Sequence, residues 1–182
     1  MEVTQAAANP TNPTDPTNPA DTGAAIQAQA WAVLATVPDP EVPVLSLCDQ
    51  GIVREVQVQA DGGVHVVLTP TYSGCPATEV IAHSVHAALH DAGLGPVHVS
   101  HRLAPAWTTD WISQAGREKL RRYGIAPPGP AHNTVRIRPR NLACPRCTSA
   151  NTERLSAFGS TACKALHRCL ACGEPFEHFK PL

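Results

Sequence analysis

The 182-residue sequence predicts an α+β fold in two parts: a small α-β-β-α-β-α domain with a mixed sheet, then a compact cysteine-rich module. Two observations carry this prediction. Apolar residues recur at helical spacing in some segments and alternate with polar residues in others, in an order that mixes helices with strands. Four of the seven cysteines form two C-x-x-C pairs near the C-terminus.

The N-terminal segment predicts a disordered tail followed by a helix. Residues 1–22 contain a Pro/Asn/Thr tract with no large apolar side chains to offset the entropy of ordering it, so we expect no packed structure there. A helix is predicted over residues 24–37, where Ile26, Val33 and Leu34 share one face, and Pro38 ends it. Residues 38–51, PDPEVPVLSLCDQG, hold too many prolines for a helix and predict an extended, turning loop.

The next segments predict the sheet and its remaining helices. Alternating valines on either side of an Asp-Gly-Gly turn predict a hairpin over residues 51–69. A helix should follow Pro76, with Ile81, Val85 and Leu89 on its apolar stripe and glycines 93 and 95 at its end. Residues 97–103 predict a third strand, and residues 108–123 a last helix closed by Gly124.

Composition divides the chain into four segments. The tail occupies residues 1–22, and the α+β domain occupies residues 23–124. Residues 125–142 contain PPGP and the basic run VRIRPRN, which favour a linker, and residues 143–182 form the cysteine-rich module. About 40 residues bury too little surface to fold alone, so this module needs a metal or a similar cross-link.

The two C-x-x-C pairs predict a zinc ribbon. Cys144 and Cys147 form one pair and Cys169 and Cys172 the other, and the stretch between them is long enough for a hairpin. Four thiolates around a tetrahedral zinc ion would supply the folding energy. A rubredoxin-like iron site has the same ligands, so the sequence leaves zinc and iron open. Cys163 is left over, as a small buried hydrophobe or as a ligand or reactive thiol.

A second candidate site surrounds Cys75, in the segment LTPTYSGCPATEV. A thiol directly before a helix N-terminus lies at the positive end of the helix dipole, which favours the thiolate. The same position also suits an inert cysteine in a turn. If Asp39 and Glu41 of the proline-rich loop lie near Cys75, they would raise its pKa, and the set with the nearby Thr71 would suit a metal or cluster better than a nucleophile.

Overall charge and hydropathy do not identify a binding partner. The formal net charge is -1, so a globally basic surface for nucleic acid is missing, although Arg136, Arg138 and Arg140 form a local basic run. The sequence begins without a signal-peptide pattern and contains no apolar run long enough to span a membrane. We therefore expect a cytoplasmic protein that binds no membrane, with the three arginines in a solvated linker.

Several motifs resemble one known family. DPEVPVLSLCDQGIV, LTPTYSGCPATEV, AWTTDWISQAGREKLRRYGIAPP and ACPRC with FGSTACKALHRCLACGEPFEHFKPL are similar to the PaaD-type proteins, also called PaaJ, of bacterial phenylacetyl-CoA epoxidase systems. The resemblance runs from about residue 31 to residue 182. The first domain also resembles the iron-sulfur assembly domain of SufT-like and cytosolic targeting factors, whose D-P-E loop and cysteine correspond to Asp39, Glu41 and Cys75, with Thr71 beside them.

The resemblance implies a non-catalytic accessory protein in aerobic phenylacetate catabolism. It would help deliver an iron-sulfur cluster to the epoxidase, with the reductase component as the expected client and the general iron-sulfur assembly machinery and other epoxidase subunits as further partners. Cys75 would be a transient ligand of the cluster or of iron, Asp39 and Glu41 would share or tune that site, and Cys163 could be a second thiol. The ribbon would carry structural zinc.

Two other functions stay open at this stage. Cys75 could be the nucleophile of a thiol-dependent transferase or hydrolase, which a thiol pKa near neutrality and covalent trapping would support. The ribbon could bind nucleic acid, with an affinity that falls steeply with salt, although the balanced charge favours no such partner.

Overall fold

The structure is a computed structural model that describes residues 19–129 and 142–181. Most of the predicted tail and the three arginines of the basic run lie outside the described residues. The described residues form twelve elements, and their strands make two sheets. The α+β architecture with a mixed sheet and a C-terminal ribbon is confirmed.

The first sheet contains β1 (Val53–Val58), β2 (Val64–Leu68) and β3 (Val97–His101) in the order β1-β2-β3. β1 and β2 form the predicted antiparallel hairpin, and β2 and β3 pair in parallel. A parallel pair needs a crossover, which α3 (Thr78–Asp91) supplies. The predicted third strand ends two residues early, since β3 stops at His101 rather than Leu103.

Helices α1 (Pro19–Leu34) and α3 cover one face of this sheet. The predicted stripe of α3 is buried, with Ile81, Val85 and Leu89 packed against the valines of β1 and β2. α1 begins at Pro19 instead of residue 24, so the predicted tail was too long by four residues, and it ends at Leu34 instead of residue 37. Proline is favoured in the first turn of a helix, which explains the early start.

The proline-rich loop contains one element that was not predicted. Residues Leu47–Gln50 form a short helix, α2, and Ser46 begins it with a capping box. The Ser46 hydroxyl accepts the N–H of Asp49, and the Asp49 carboxylate accepts the N–H of Ser46. Gly51 ends α2 in the left-handed conformation, where a Cβ would meet Trp111 at 2.7 Å.

The last predicted helix is divided. A 3₁₀ helix over Thr109–Trp111 comes first, and α4 (Gln114–Tyr123) begins after Ser113, whose hydroxyl accepts the N–H of Gly116. Gly124 ends α4 as predicted, at a φ of +89°. The next two residues form strand β4 (Ile125–Ala126) instead of belonging to a linker.

The C-terminal sheet has the order β4-β7-β6-β5, with β5 (Thr152–Ser156), β6 (Lys164–Cys169) and β7 (Pro175–Phe179). β4 pairs in parallel with β7 through Ile125 and Ala126. A strand that directly follows α4 is therefore part of the ribbon sheet.

The two parts of the chain share a hydrophobic cluster. Val42 and Leu45 of the proline-rich loop, Trp107 and Leu120 pack in one cluster with ribbon residues Cys163 and Phe179. The two parts therefore do not have separate cores, because this cluster includes side chains from both. The domain limits predicted at residues 124 and 143 stay a prediction. None of the helices among the described residues is both long and apolar enough to cross a membrane.

Candidate functional site

The proline-rich loop is held in one shape by the buried carboxylate of Asp39. Its Oδ1 accepts the N–H groups of Glu41 and Val42, both at 2.7 Å. Its own N–H donates to the carbonyl of Leu45 at 2.9 Å. Asp39 is only 4% exposed, and burial raises the pKa of its carboxyl despite the two N–H donors. The loop therefore keeps a buried acid in place, which is costly for stability.

Cys75 lies in the turn before α3, with Thr71 buried on the same connection. α3 begins at Thr78, and the thiol is half-buried in the turn just before the helix. Burial raises the pKa of Cys75, the N–H of Ala77 lowers it, and the carboxylates of Glu41 and then Asp39 raise it again. Burial and the two carboxylates therefore oppose the thiolate that the helix N-terminus favours.

The loop lies near enough to Cys75 for Glu41 and then Asp39 to raise the pKa of its thiol electrostatically, after the larger effect of burial. Burial raises the pKa of Glu41 too, and the charge of Asp39 adds to this effect. Tyr72 lies near the same groups. Burial raises the pKa of its phenol most, and the charges of Cys75, Glu41 and Cys163 raise it further. The structure brings Asp39, Glu41 and Cys75 into one region, while their role as ligands stays a prediction.

The ribbon contributes two groups to this region. Cys163 is 2% exposed, and its Sγ lies 3.0 Å from the hydroxyl oxygen of Thr161. Burial raises its pKa, and the charges of Glu41 and Asp39 also raise it. The adjacent Lys164 is buried and forms an ion pair with Glu177, with Nζ and Oε2 2.9 Å apart. The charge of Lys164 lowers the pKa values of Asp39 and Glu41, against the larger effect of burial.

Sequence patterns did not mark Lys164, Glu177 or Trp107 as parts of this region. Lys164 is the first residue of β6, and charged residues are almost never fully buried without a partner. Its partner Glu177 comes from another strand, so their contact depends on the ribbon's pairing. Gly159 allows this close approach, since a Cβ there would meet Glu177 Oε1 at 2.5 Å.

A separate metal centre lies at the far end of the ribbon. The Sγ atoms of Cys144, Cys147, Cys169 and Cys172 all lie within 4.8 Å of one another. Cys144 and Cys172 are 3.9 Å apart, and Cys147 and Cys169 are 3.5 Å apart. A tetrahedral zinc ion with Zn–S bonds of about 2.3 Å places its sulfurs about 3.8 Å apart, so the four cysteines fit this metal.

Backbone N–H groups favour a thiolate, the form of cysteine that binds a cation, at this centre. The N–H groups of Cys172 and then Ala171 lower the pKa of Cys169 to about 7, although burial opposes them. Hydrogen bonds from such N–H groups stabilise a thiolate without adding a positive side chain. The four cysteines can therefore hold a metal such as zinc.

These elements define a class of protein: an iron-sulfur-assembly-type α+β domain joined to a zinc ribbon. Residues 27–100 match the family model "Iron-sulfur cluster assembly protein", and residues 128–180 match "PaaD zinc beta ribbon domain". Over 152 residues, the chain is 50% identical to an Escherichia coli (strain K12) protein whose provisional name makes it one of the subunits of 1,2-phenylacetyl-CoA epoxidase. The match covers 84% of this chain and 91% of the relative. The chain belongs to this family of PaaD-type epoxidase subunits.

Two further comparisons match the first domain. A Porphyromonas gingivalis protein named Fe-S protein maturation auxiliary factor is 36% identical over 89 residues, which cover 48% of this chain and 84% of the relative. A crystal structure of a domain of unknown function, DUF59, from Bacillus anthracis has a TM-score of 0.52 at 23% identity, and covers 56% of this chain and 96% of that one. The latter match supports the fold alone.

Proposed function

We propose that this protein is an accessory maturation factor that binds iron or an iron-sulfur cluster transiently and transfers it to the phenylacetyl-CoA epoxidase system, with the reductase component as the client. Cys75 supplies the thiolate, Asp39 and Glu41 supply carboxylate charge, and Thr71 lines the site. The observation that carries the proposal is the half-buried Cys75 thiol beside the Glu41 and Asp39 carboxylates. The names of the relatives supply the class of cargo and the epoxidase system.

The chemistry of the site favours cation binding over nucleophilic attack. A nucleophilic cysteine needs a lowered pKa or an adjacent base, whereas burial and two carboxylates raise the pKa of Cys75. A bound iron ion reverses this balance, because it attracts the thiolate and the carboxylates together. Thiolate ligands also suit iron-sulfur clusters. A site that holds its thiol protonated until iron arrives would bind its cargo with release of a proton.

The ribbon has a structural part in this proposal. Zinc at the four cysteines stabilises the sheet that β4 joins, and that sheet carries Phe179 and Cys163 into the cluster shared with the acidic loop. The assembly machinery that loads the site and the epoxidase subunits that receive the cargo are the partners. The protein acts as a carrier in the cytoplasm and performs no oxygenase chemistry itself.

This function is tested in a host that grows on phenylacetate, by measuring the cluster content of its epoxidase reductase. The wild-type gene is replaced by the Cys75→Ser variant, or by Cys48→Ser as a matched control with another part-buried thiol. We expect the Cys75→Ser strain to fail on phenylacetate and to grow on other carbon sources. Its purified reductase should contain much less iron and acid-labile sulfide per chain than that of the control strain. A full cluster complement in this reductase would reject the maturation role.

A further inference from the structure

A hollow of about 290 Å³ lies where the end of α4 meets the ribbon. Arg121, Arg122 and Tyr123 line it from the last turn of α4. Arg146, which lies between the two cysteines of the first C-x-x-C pair, and Glu174 line it from the ribbon. None of the residues that line this α4–ribbon groove belongs to the candidate iron site.

The backbone holds both walls of the groove in place. Gly124 ends α4, and its N–H donates to the carbonyl of Arg121 at 3.1 Å. The next two residues pair with β7, which fixes the last turn of α4 beside Phe176. Phe176 is 5% exposed and packs among cysteines of the metal centre. The groove is therefore preformed, and a preformed site loses little entropy when a partner binds.

Basic side chains outnumber acidic ones at the rim of the groove. Arg121 and Arg122 both pair with the Glu118 carboxylate. Arg146 pairs with Glu174. Three guanidinium groups thus share two carboxylates among these described residues, on a chain whose formal net charge is -1. Exposed ion pairs contribute little to stability, so a partner's carboxylates can replace these acceptors at small cost.

The groove also exposes an aromatic ring. Tyr123 is 62% exposed, and the side chains of Arg122 and Arg146 are 79% and 69% exposed. Arginines in the last turn complement the negative end of a helix dipole, which explains Arg122 without a partner. The dipole does not explain the arginine that the ribbon adds or the exposed tyrosine. Tyrosine and arginine beside a buried phenylalanine are typical of a protein–protein contact, where these residues supply much of the binding energy.

The size and charge of the groove select the kind of partner. A volume of about 290 Å³ is at the lower limit of small-molecule sites, and it suits one or two side chains of a protein segment. A nucleic-acid site neutralises many phosphates, whereas carboxylates accompany the arginines here. Residues 130–141 of this chain contain three arginines and no acidic residue, so they lack the complementary charge. An acidic segment of another protein has it.

We propose that the α4–ribbon groove is a docking site for an acidic segment of a partner protein: Arg122 and Arg146 bind its carboxylates, and Tyr123 packs against its chain. This inference goes beyond the proposed function and does not depend on the cargo that Cys75 holds. Each guanidinium has five N–H donors, so it can bind the partner while it keeps part of its present pairing. Binding should weaken as the salt concentration rises, because the charges are exposed.

A phage-displayed library of short random peptides tests the proposal without a sequence chosen in advance. The library is selected on the full-length protein loaded with zinc, and the enriched peptides are labelled for fluorescence anisotropy. Their affinities are compared for the wild type, Tyr123→Ala, the double variant Arg122→Gln with Arg146→Gln, and Arg168→Gln. Arg168 is the matched control, because its side chain is 50% exposed and pairs with Glu153 outside the groove.

The enriched peptides should be rich in Asp and Glu. Tyr123→Ala and the double variant should each weaken their binding by about fivefold or more, the effect of losing an anchor residue. Arg168→Gln should bind them as the wild type does. Enriched peptides without acidic residues, or equal weakening by Arg168→Gln, would overturn the proposal. A short single-stranded DNA that displaces the peptides at physiological salt would assign the groove to phosphates and overturn it as well.

Measurements on the wild type keep the test valid if a variant does not fold. Adding an enriched peptide should shift the backbone amide NMR signals of Tyr123, Gly124 and Arg146. Shifts confined to other residues would contradict docking in this groove. Sedimentation tests the remaining occupant: a wild-type dimer that becomes a monomer in the double variant would give the groove to a second copy of the chain and reject the acidic partner.

Discussion

The indole ring of Trp107 packs against the phenyl ring of Phe179, with ring centroids 6.1 Å apart and ring planes tilted by 44°. Trp107 also donates its indole N–H to the carbonyl of Gln50 at 3.0 Å. Phe179 is fully buried and belongs to the last strand of the ribbon. One aromatic contact therefore joins the end of the chain to the loop system of the first domain.

Phe179→Ala should destabilise both parts of the chain together. Removing a buried phenylalanine typically costs about 3–5 kcal/mol of unfolding free energy, and here the cavity would open between the ribbon and Trp107. Phe158→Ala is the matched control, because Phe158 is 65% exposed and contacts the Lys180 ammonium in a cation-π pair worth about 0.5–1 kcal/mol. Denaturant titration followed by tryptophan fluorescence measures both costs. Equal effects of the two variants would contradict the shared core.

Cys169→Ser should release the ribbon metal and disturb the first domain as well. Structural zinc binding contributes about 10–16 kcal/mol in small zinc modules, so the ribbon cannot stay folded without it. Because Phe179 and Cys163 pack in the cluster with Val42 and Trp107, loss of the ribbon should expose Trp107 and shift its fluorescence to longer wavelength. Metal analysis and emission spectra provide the readout, and Cys48→Ser should retain metal and spectrum. A metal-free Cys169→Ser protein with unchanged emission would show that the cores are independent after all.

The pKa of the Cys75 thiol should fall when its carboxylate neighbours are neutralised. Burial is the largest cause of its raised pKa and remains, but Glu41 and Asp39 add to it, so the double change Asp39→Asn and Glu41→Gln removes that part. The rate of Cys75 alkylation against pH, followed on its peptide by mass spectrometry, measures the shift. Asp49→Asn removes a carboxylate that acts on Cys48 instead and should leave the Cys75 profile in place. An unchanged profile in the double variant would mean that the two carboxylates lie too far from the thiol to affect its pKa.

Local patterns predicted the elements that bury one regular face. The stripe of α3 and the alternation of β1 and β2 follow from residue periodicity, and the structure buries the predicted faces. The capping box at Ser46 and Asp49 was readable as S-x-x-D, but the surrounding prolines favoured an extended loop. The four metal ligands were predicted from spacing alone, because two C-x-x-C pairs leave few alternatives.

The contact between the two parts could not be predicted in this way. β4 has only two residues, which is too short for any periodic signal, and its partner in β7 is about 50 residues away. The burial of Lys164 depends on Glu177 from another strand, so nothing in the sequence near Lys164 marks it. The effects that raise the pKa of Cys75 escaped local patterns for the same reason: the helix dipole is a local effect, whereas burial and the approach of Glu41 are tertiary effects.

Asp39→Asn should stabilise the metal-free protein at neutral pH while it impairs iron binding. Burial raises the pKa of Asp39 above its ordinary value of 3.8, so the folded chain holds this proton to a higher pH than the unfolded chain does. The free energy of unfolding therefore falls as the pH rises from about 3.8 through the folded pKa, and the loss persists at higher pH. Asparagine cannot ionise, yet its Oδ1 can still accept the N–H groups of Glu41 and Val42. We expect the variant to melt at a higher temperature than the wild type at pH 7, and the difference to shrink at pH 3, where both side chains are neutral.

Glu55→Gln is a control for Asp39→Asn with the opposite sign. The Glu55 carboxylate pairs with Arg102, whose hydrogen bond lowers its pKa, so its removal should not stabilise the protein at pH 7. Calorimetry of the wild type and both variants at pH 3 and pH 7 measures these differences. A lower melting temperature for Asp39→Asn than for the wild type at pH 7 would mean that the charge of Asp39 stabilises the loop. That result would contradict a carboxylate kept for binding a cation at the cost of stability.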